Sequence, residues 1–190
     1  MSLSTAFPPP SISPSVNTLA GLLKSQSQTI AFAETATGGL LSSSLLSVPG
    51  ASQIFKGGLT LYTLESRLAY AGWTPEHISA YKGPTPQIVS GIASHVKGEL
   101  GPSWVVAESG TAGPTGGNTR NRTPGYVALA IVGEGGTWTR EVETGSKDRV
   151  ENMLRFAEEA LKFVIQVLQG EVEPDKVEAG GEDGTDRGNL

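Results

Sequence analysis

Apolar and polar positions along this chain switch repeatedly between a helical and an extended period. Val16, Leu19, Leu22 and Leu23 share one helical face, which predicts a helix ending near Ser25. Thr29–Ala33 is a short apolar run that predicts a buried strand. Gly39–Leu46 predicts a helix, stopped by Val48-Pro49-Gly50. Gly58–Thr63 predicts a strand, Leu64–Ala71 a short helix ended by Gly72, and Pro75 the start of another brief helix. Pro86–Leu100 carries Ile88, Val89, Ile92 and Val96 at helical spacing, and Ser103–Glu108 predicts a strand. After a Gly-rich loop over Ser109–Pro124, Gly125–Val132 and Trp138–Thr144 predict a hairpin joined by Gly133–Gly136. A final helix over Lys147–Leu168 shows Met153, Leu154, Ala157, Leu161, Val164, Ile165 and Leu168 on one face.

Helices alternate with strands and then give way to a hairpin and a last helix. That order predicts an α/β protein, a three-layer α/β/α domain with a mixed β-sheet. Ligands of such sheets bind beyond the strand ends. Two Gly-rich loops follow strands here, Thr35–Gly39 and Ser109–Gly117.

Composition trims the ends. Residues 1–15 are uncharged and rich in Ser and Pro, and read as a flexible arm. Residues 171–190 hold seven acidic and two basic side chains, and read as a disordered acidic tail. The folded body is then 16–170. The formal charge of −5 comes entirely from that tail, and the rest of the chain is balanced at 12 acidic and 12 basic groups. A neutral body predicts no nucleic-acid partner and no anionic membrane partner. No apolar run approaches the roughly 18 residues of a membrane span. The N-terminus lacks a basic stretch followed by an apolar one, so a cytoplasmic protein is expected. Absent Cys excludes disulfides and thiol nucleophiles, and two histidines, His77 and His95, argue against a multi-histidine metal site. Neither a metal nor a cofactor is expected. The oligomeric state, a homo-oligomer included, is not fixed by these features.

The turn Glu34-Thr35-Ala36-Thr37-Gly38-Gly39 carries the chemistry. A Gly-rich turn between strand and helix offers N–H groups to an anion or oxyanion, and its hydroxyls are candidate nucleophiles. The second loop holds Ser109, Gly110, Gly113, Gly116 and Gly117. Glycine allows close approach of backbone to a ligand, so this loop reads either as a phosphate or sugar cradle or as a flexible connection.

Four ordered segments resemble one family: Ala33–Leu40, Val48-Pro49-Gly50-Ala51-Ser52, Phe55–Tyr62 and Ser109–Gly117, with further matches over Pro124–Ala130 and at Gly145. Together they look like the C-terminal domain of CinA, the competence/damage-inducible proteins, over about residues 17–168. The stand-alone members of that family are nicotinamide-nucleotide amidases. The resemblance implies an α/β/α fold and hydrolysis of the carboxamide of nicotinamide mononucleotide to nicotinate mononucleotide and ammonia. The implied partner is a small phosphorylated ligand.

The resemblance also implies a Ser nucleophile after the first Ala-Glu and a Lys partner near the Tyr-containing segment. In this chain those positions hold Thr35 and Arg67. Thr is a more crowded nucleophile. Arg keeps its charge at every working pH and cannot accept the nucleophile's proton. Thr37 keeps a second hydroxyl, and Lys56, Lys82 or Glu34 are candidates for a replacement base. The family's Lys-Pro-Val-Gly reads Arg122-Thr123-Pro124-Gly125, and its Gly-Asp-Arg turn reads Gly145-Ser146-Lys147. Thr35, Arg67 and Thr37 are therefore the candidate catalytic residues. Gly38, Gly39, Tyr62, Ser109, Gly110, Gly113, Gly116, Gly117 and Arg122 are the candidate ligand-binding residues, with Lys147 as a further cation. The alternative is a catalytically silent relative that binds a nucleotide or sugar phosphate or serves as an interaction module. Taken singly, Thr35 also reads as a helix N-cap and Arg67 as a surface ion-pair partner of Glu65.

Overall fold

In a computed structural model that describes residues 7–176, five strands form one sheet in the order β2-β1-β3-β4-β5. The strands are β1 (Ile30–Glu34), β2 (Phe55–Thr60), β3 (Trp104–Thr111), β4 (Tyr126–Gly133) and β5 (Gly136–Glu143). β1 runs parallel to both β2 and β3, while β3, β4 and β5 are antiparallel neighbours. The sheet is therefore mixed, as the element order predicts. Gly133 pairs with Gly136 across a two-residue turn, which closes the hairpin.

Six helices flank the sheet: α1 (Ser13–Ser25), α2 (Leu40–Leu46), α3 (Leu64–Tyr70), α4 (Pro75–Ala80), α5 (Pro86–Leu100) and α6 (Arg149–Leu168). Alternation along the strands decides which face each helix covers. Phe32, Val106, Val127, Leu129 and Ile131 point to the side packed by α1 and α6, against Leu19, Leu23, Phe156 and Val164. The other face presents Ala31, Ala33, Ala107, Ala128 and Ala130 to Val89, Ile92, Ala93 and Val96 of α5. Small side chains on that face leave room for one helix to lie against the strands.

The structure moves several predicted boundaries. Ile12 is fully buried, and Pro9 O accepts the N–H groups of Ile12 and Ser13, so α1 begins three residues before the predicted start. Proline in its first turn suits a position whose N–H has no helical partner. Residues 9–15 thus belong to the folded body rather than to a flexible arm. At the other end, Trp138 Nε1 donates to Val172 O and Asp175 N donates to Thr137 O, so 172–175 lie along β5. The remaining arm and tail residues, 1–6 and 177–190, lie outside the described residues. β2 starts at Phe55 rather than Gly58. β3 runs on through Ser109, Gly110 and Thr111, which pair with Ala128, Val127 and Tyr126; these three are strand, not loop. α6 starts at Arg149, with the Asp148 side chain accepting from Glu151 N as its cap.

Among the described residues no helix is long and apolar enough to cross a membrane, and no group of three or more His, Cys, Asp or Glu is placed to hold a metal.

Phe156 is fully buried, and its ring lies where a side chain at Gly110 would otherwise project. Truncation by Phe156→Ala is expected to cost about 3–5 kcal/mol, read as a lower urea midpoint with an unchanged slope.

Candidate active site

Two neighbouring parallel strands each carry Ala-Glu. β1 finishes at Ala33-Glu34 and β3 carries Ala107-Glu108, with Ala33 and Ala107 in register. Both carboxylates are buried. Glu34 Oε2 accepts the N–H groups of Gly39 (3.0 Å) and Leu41 (2.9 Å), and its Oε1 accepts Ser42 N (2.9 Å) and Ser42 Oγ (2.6 Å). Glu108 Oε1 accepts Thr35 N (2.6 Å) and Thr37 N (2.9 Å). The turn over Thr35–Gly39 is thus an anion cradle whose anions are the protein's own. The N–H groups of Thr35, Thr37 and Gly39 are taken by Glu108 and Glu34, so these three do not face a phosphate or an oxyanion as expected. Gly38 and Gly39 serve the turn through their left-handed backbone, φ 66° and 98°.

Thr37 belongs to the same scaffold. Its Oγ1 lies 2.8 Å from both Glu34 Oε2 and Glu108 Oε1. A hydroxyl has one proton to donate, so the second contact is favourable only when a carboxyl is protonated. Burial pushes the Glu108 carboxyl up to about 7; hydrogen bonds from Thr37 and Thr35 oppose the rise, and the nearby Glu34 adds to it. Glu108 Oε2 is buried without a hydrogen-bond partner.

Thr35 and Arg67 come together through a third residue. Thr35 Oγ1 donates to Ser109 Oγ at 3.3 Å, and Arg67 Nη2 donates to the same oxygen at 3.2 Å. Arg67 Nε also donates to Leu61 O at 3.2 Å. The Arg67 guanidinium lies 5.2 Å from the ring centres of both Trp73 and Tyr81. Arg67 is only 4 % exposed; among the described residues it forms no ion pair, Glu65 included, and its Nη1 has no hydrogen-bond partner. The surface-pair reading of Arg67 is therefore wrong. Thr35 is not a helix cap either, since Gly39 holds that position for α2. Lys56 and Lys82 make no hydrogen bond to Thr35, Ser109 or Arg67.

Beyond the strand ends lies a cleft of two adjoining cavities that share Gly110, Thr111 and Thr115. One, of about 200 Å³, is bounded by Ala36, Tyr62, Gly113 and Arg149. The other, of about 250 Å³, is bounded by Tyr81, Pro84, Gly116 and Arg122. Arg149 reaches Gly113 O (3.0 Å) and the Tyr62 hydroxyl (3.1 Å). The Arg122 side chain has no hydrogen-bond or ion-pair partner among the described residues, whereas Arg120 is bound to Glu141 and Glu143. Lys147 is exposed and lines neither cavity.

The glycines of the second loop mostly accommodate the chain itself. A Cβ at Gly116 would lie 2.4 Å from Arg122 O, and Gly117 N donates to that carbonyl at 2.7 Å. Buried Asn152 ties the loop to α6, donating to Ala112 O (2.9 Å) and Ser146 O (3.0 Å).

Three contributors escape the sequence reading: Glu108, Arg149 and Asn152. Glu108 has a signal, an Ala-Glu on a strand that repeats Ala33-Glu34. Arg149 has another, a cation in the first turn of a helix, where the helix dipole disfavours it. Asn152 has none beyond a polar residue on an apolar helix face.

The fold is that of an α/β domain with a five-stranded mixed sheet, and hydroxyl and cationic groups gather past its strand ends. A protein-family comparison narrows the class. The model described as "CinA C-terminal domain" matches residues 13–168, and the chain belongs to that family. A CinA-like protein from Prochlorococcus marinus strain AS9601 is 36 % identical over 131 residues, covering 68 % of this chain and 31 % of that protein. One from strain MIT 9301 is 38 % identical over 111 residues, covering 58 % and 26 %. The matched part thus spans about a third or less of these relatives. The structure of competence/damage inducible protein CihA from Agrobacterium tumefaciens superposes with TM-score 0.77 at 25 % identity, covering 85 % of this chain and 97 % of that one. A competence or damage-inducible protein from Enterobacter asburiae gives 0.76 at 25 %, covering 83 % and 98 %.

The raised Glu108 carboxyl makes stability depend on pH. Between about 4.5 and about 7 the unfolded chain has released this proton while the folded one retains it, so stability falls as pH rises through that window. The contribution is on the order of 3 kcal/mol. Glu108→Gln keeps an oxygen acceptor and removes the titration. Unfolding midpoints from pH 5 to 8 are expected to decline more steeply for the unmodified protein than for this variant.

Proposed function

We propose that this domain binds a phosphorylated pyridine nucleotide such as nicotinamide mononucleotide and hydrolyses its carboxamide poorly or not at all. The carboxamide would lie toward Thr35, Ser109 and Ala36, and the phosphate toward Arg122. One observation carries the reading. Ser109 Oγ, the neighbour of Thr35 Oγ1, accepts from a guanidinium that can only donate.

Attack by Thr35 Oγ1 on a carboxamide carbon requires its proton to leave, and release of ammonia requires a proton to arrive. The Thr35–Ser109–Arg67 line ends in a permanent donor, so it supplies no acceptor for the first transfer. Binding needs none. The Arg67 Nη1 group is an unspent buried donor suited to a carbonyl oxygen or an anion, and Arg122 is an unpaired planar cation suited to phosphate.

A second reading retains hydrolysis, with Glu108 as the acceptor. It is favoured by a carboxyl held near 7, one of whose oxygens is bare. Its products would be nicotinate mononucleotide and ammonia. It predicts ammonia release that rises through about pH 7 and disappears in Glu108→Gln.

Thermal-shift and calorimetric titrations with nicotinamide mononucleotide separate these readings from a pure scaffold. The expected result is saturable stabilisation, weakened at least tenfold by Arg122→Ala, with ammonia at background. A tenfold loss corresponds to about 1.4 kcal/mol. Absence of any shift at millimolar ligand would overturn the proposal.

A further inference from the structure

The cleft does not end at Arg122. Tyr81, which bounds the Arg122 cavity, also bounds a third cavity of about 390 Å³ between α3, α4 and α5. Its walls include Trp73, Tyr81, Ile88, His77, His95 and Gln87. The rings of Trp73 and Tyr81 are 5.6 Å apart, and those of Trp73 and His77 are 6.0 Å apart. The space is concave, mostly apolar and within the size range of small-molecule sites.

Its polar groups suit the edge of a heterocycle. Thr74 N donates to His77 Nδ1 at 3.0 Å, which makes Nδ1 an acceptor and leaves the ring its Nε2–H as donor. The Gln87 amide offers both a donor and an acceptor. Two glycines shape the walls. Gly72, at φ 68°, admits the His95 ring, because a Cβ there would lie 2.6 Å from Nδ1. Gly91 is a helical residue with nothing within 4 Å of the side chain it lacks, and it keeps one wall bare.

The three cavities therefore follow one another in a fixed chemical order. The first is lined by Tyr62 and by Ala36 and Gly110, the chain neighbours of Thr35 and Ser109. The second carries the unpaired Arg122 cation. The third is an aromatic chamber. Building on the nucleotide reading of the cleft, we infer that this domain takes a pyrophosphate-linked dinucleotide. One base, bearing a carboxamide, lies beside Thr35. The phosphates lie along Arg122. A second heteroaromatic base occupies the chamber between α3, α4 and α5.

Occupancy of the chamber bears on the first site. Trp73 and Tyr81, whose ring centres each lie 5.2 Å from the Arg67 guanidinium, are also chamber walls. A base stacked on them fixes Arg67 and, through it, Ser109. Stacking of a base on such rings is worth a tenfold or greater gain in affinity.

Calorimetric titration with nicotinamide mononucleotide, adenosine 5′-monophosphate and nicotinamide adenine dinucleotide tests the inference. Gly91→Leu is the diagnostic variant, because it fills the chamber from a helix position that favours Leu over Gly. Gln87→Ala, which removes only an edge contact, is the milder second variant, and circular dichroism checks that both fold. The dinucleotide is expected to bind at least tenfold more tightly than nicotinamide mononucleotide. Gly91→Leu is expected to erase that advantage and leave mononucleotide affinity unchanged, and Gln87→Ala to reduce the advantage. Trp73 emission is expected to change with the dinucleotide and not with nicotinamide mononucleotide.

Equal affinity for the dinucleotide and nicotinamide mononucleotide would overturn the inference while leaving the proposed function intact. So would an equal loss for both ligands in Gly91→Leu. If adenosine 5′-monophosphate binds and is expelled by Gly91→Leu while nicotinamide mononucleotide does not bind, the aromatic chamber stands and the proposed carboxamide end falls. Failure of all three ligands would overturn both.

Discussion

Two buried glutamates organise this domain. Glu34 and Glu108 lie on adjacent parallel strands, and between them they receive five backbone N–H groups and the hydroxyls of Thr37 and Ser42. Leaving such N–H groups buried and unpaired would cost about 1–3 kcal/mol each, so the pairing fixes the Thr35–Gly39 turn and the start of α2. The same pairing places Thr35 beside Ser109. The cost is a crowded pair of acids, and the rise of the Glu108 carboxyl to about 7 is its visible sign. The placement of Thr35 therefore rests on a support that is itself sensitive to protonation.

Arg67 is the second constraint. A buried cation with no carboxylate partner is expensive unless other groups replace water around it. Here the replacements are Leu61 O, Ser109 Oγ and the faces of Trp73 and Tyr81. They tie the α3–α4 segment to the end of β3. They also hold in place a fixed charge that can only donate. Tyr81, whose ring lies beside the Arg67 guanidinium, is a wall that two of the cavities share.

The sheet was largely legible from the sequence, because period-2 and period-3.6 runs such as those in β4 and α6 report one-sided burial directly. The ends were less so. Ile12 is a lone apolar residue among Ser and Pro, and nothing local marks it as core. Ser109–Thr111 looked like loop because glycine is a poor strand former, yet Gly110 is required where Tyr126 O and the Phe156 ring crowd the strand. In the site, Thr35 and Arg67 were identifiable only because the family resemblance pointed to their positions; their link through Ser109 depends on tertiary packing. The glycines of both loops suggested a ligand cradle, but most serve the protein's own carboxylates and carbonyls. An internal anion and an external one select the same residues, and only coordinates distinguish them. The repeated Ala-Glu on two strands was the available clue to the internal one.

Under the proposed function Arg67, which cannot take a proton, separates binding from hydrolysis. Ammonia release from nicotinamide mononucleotide, measured side by side for the unmodified protein and for the double variant Thr35→Ser with Arg67→Lys, tests it most directly. The account predicts background release from the unmodified protein and measurable turnover from the double variant. Robust turnover by the unmodified protein that Thr35→Ala abolishes would contradict it.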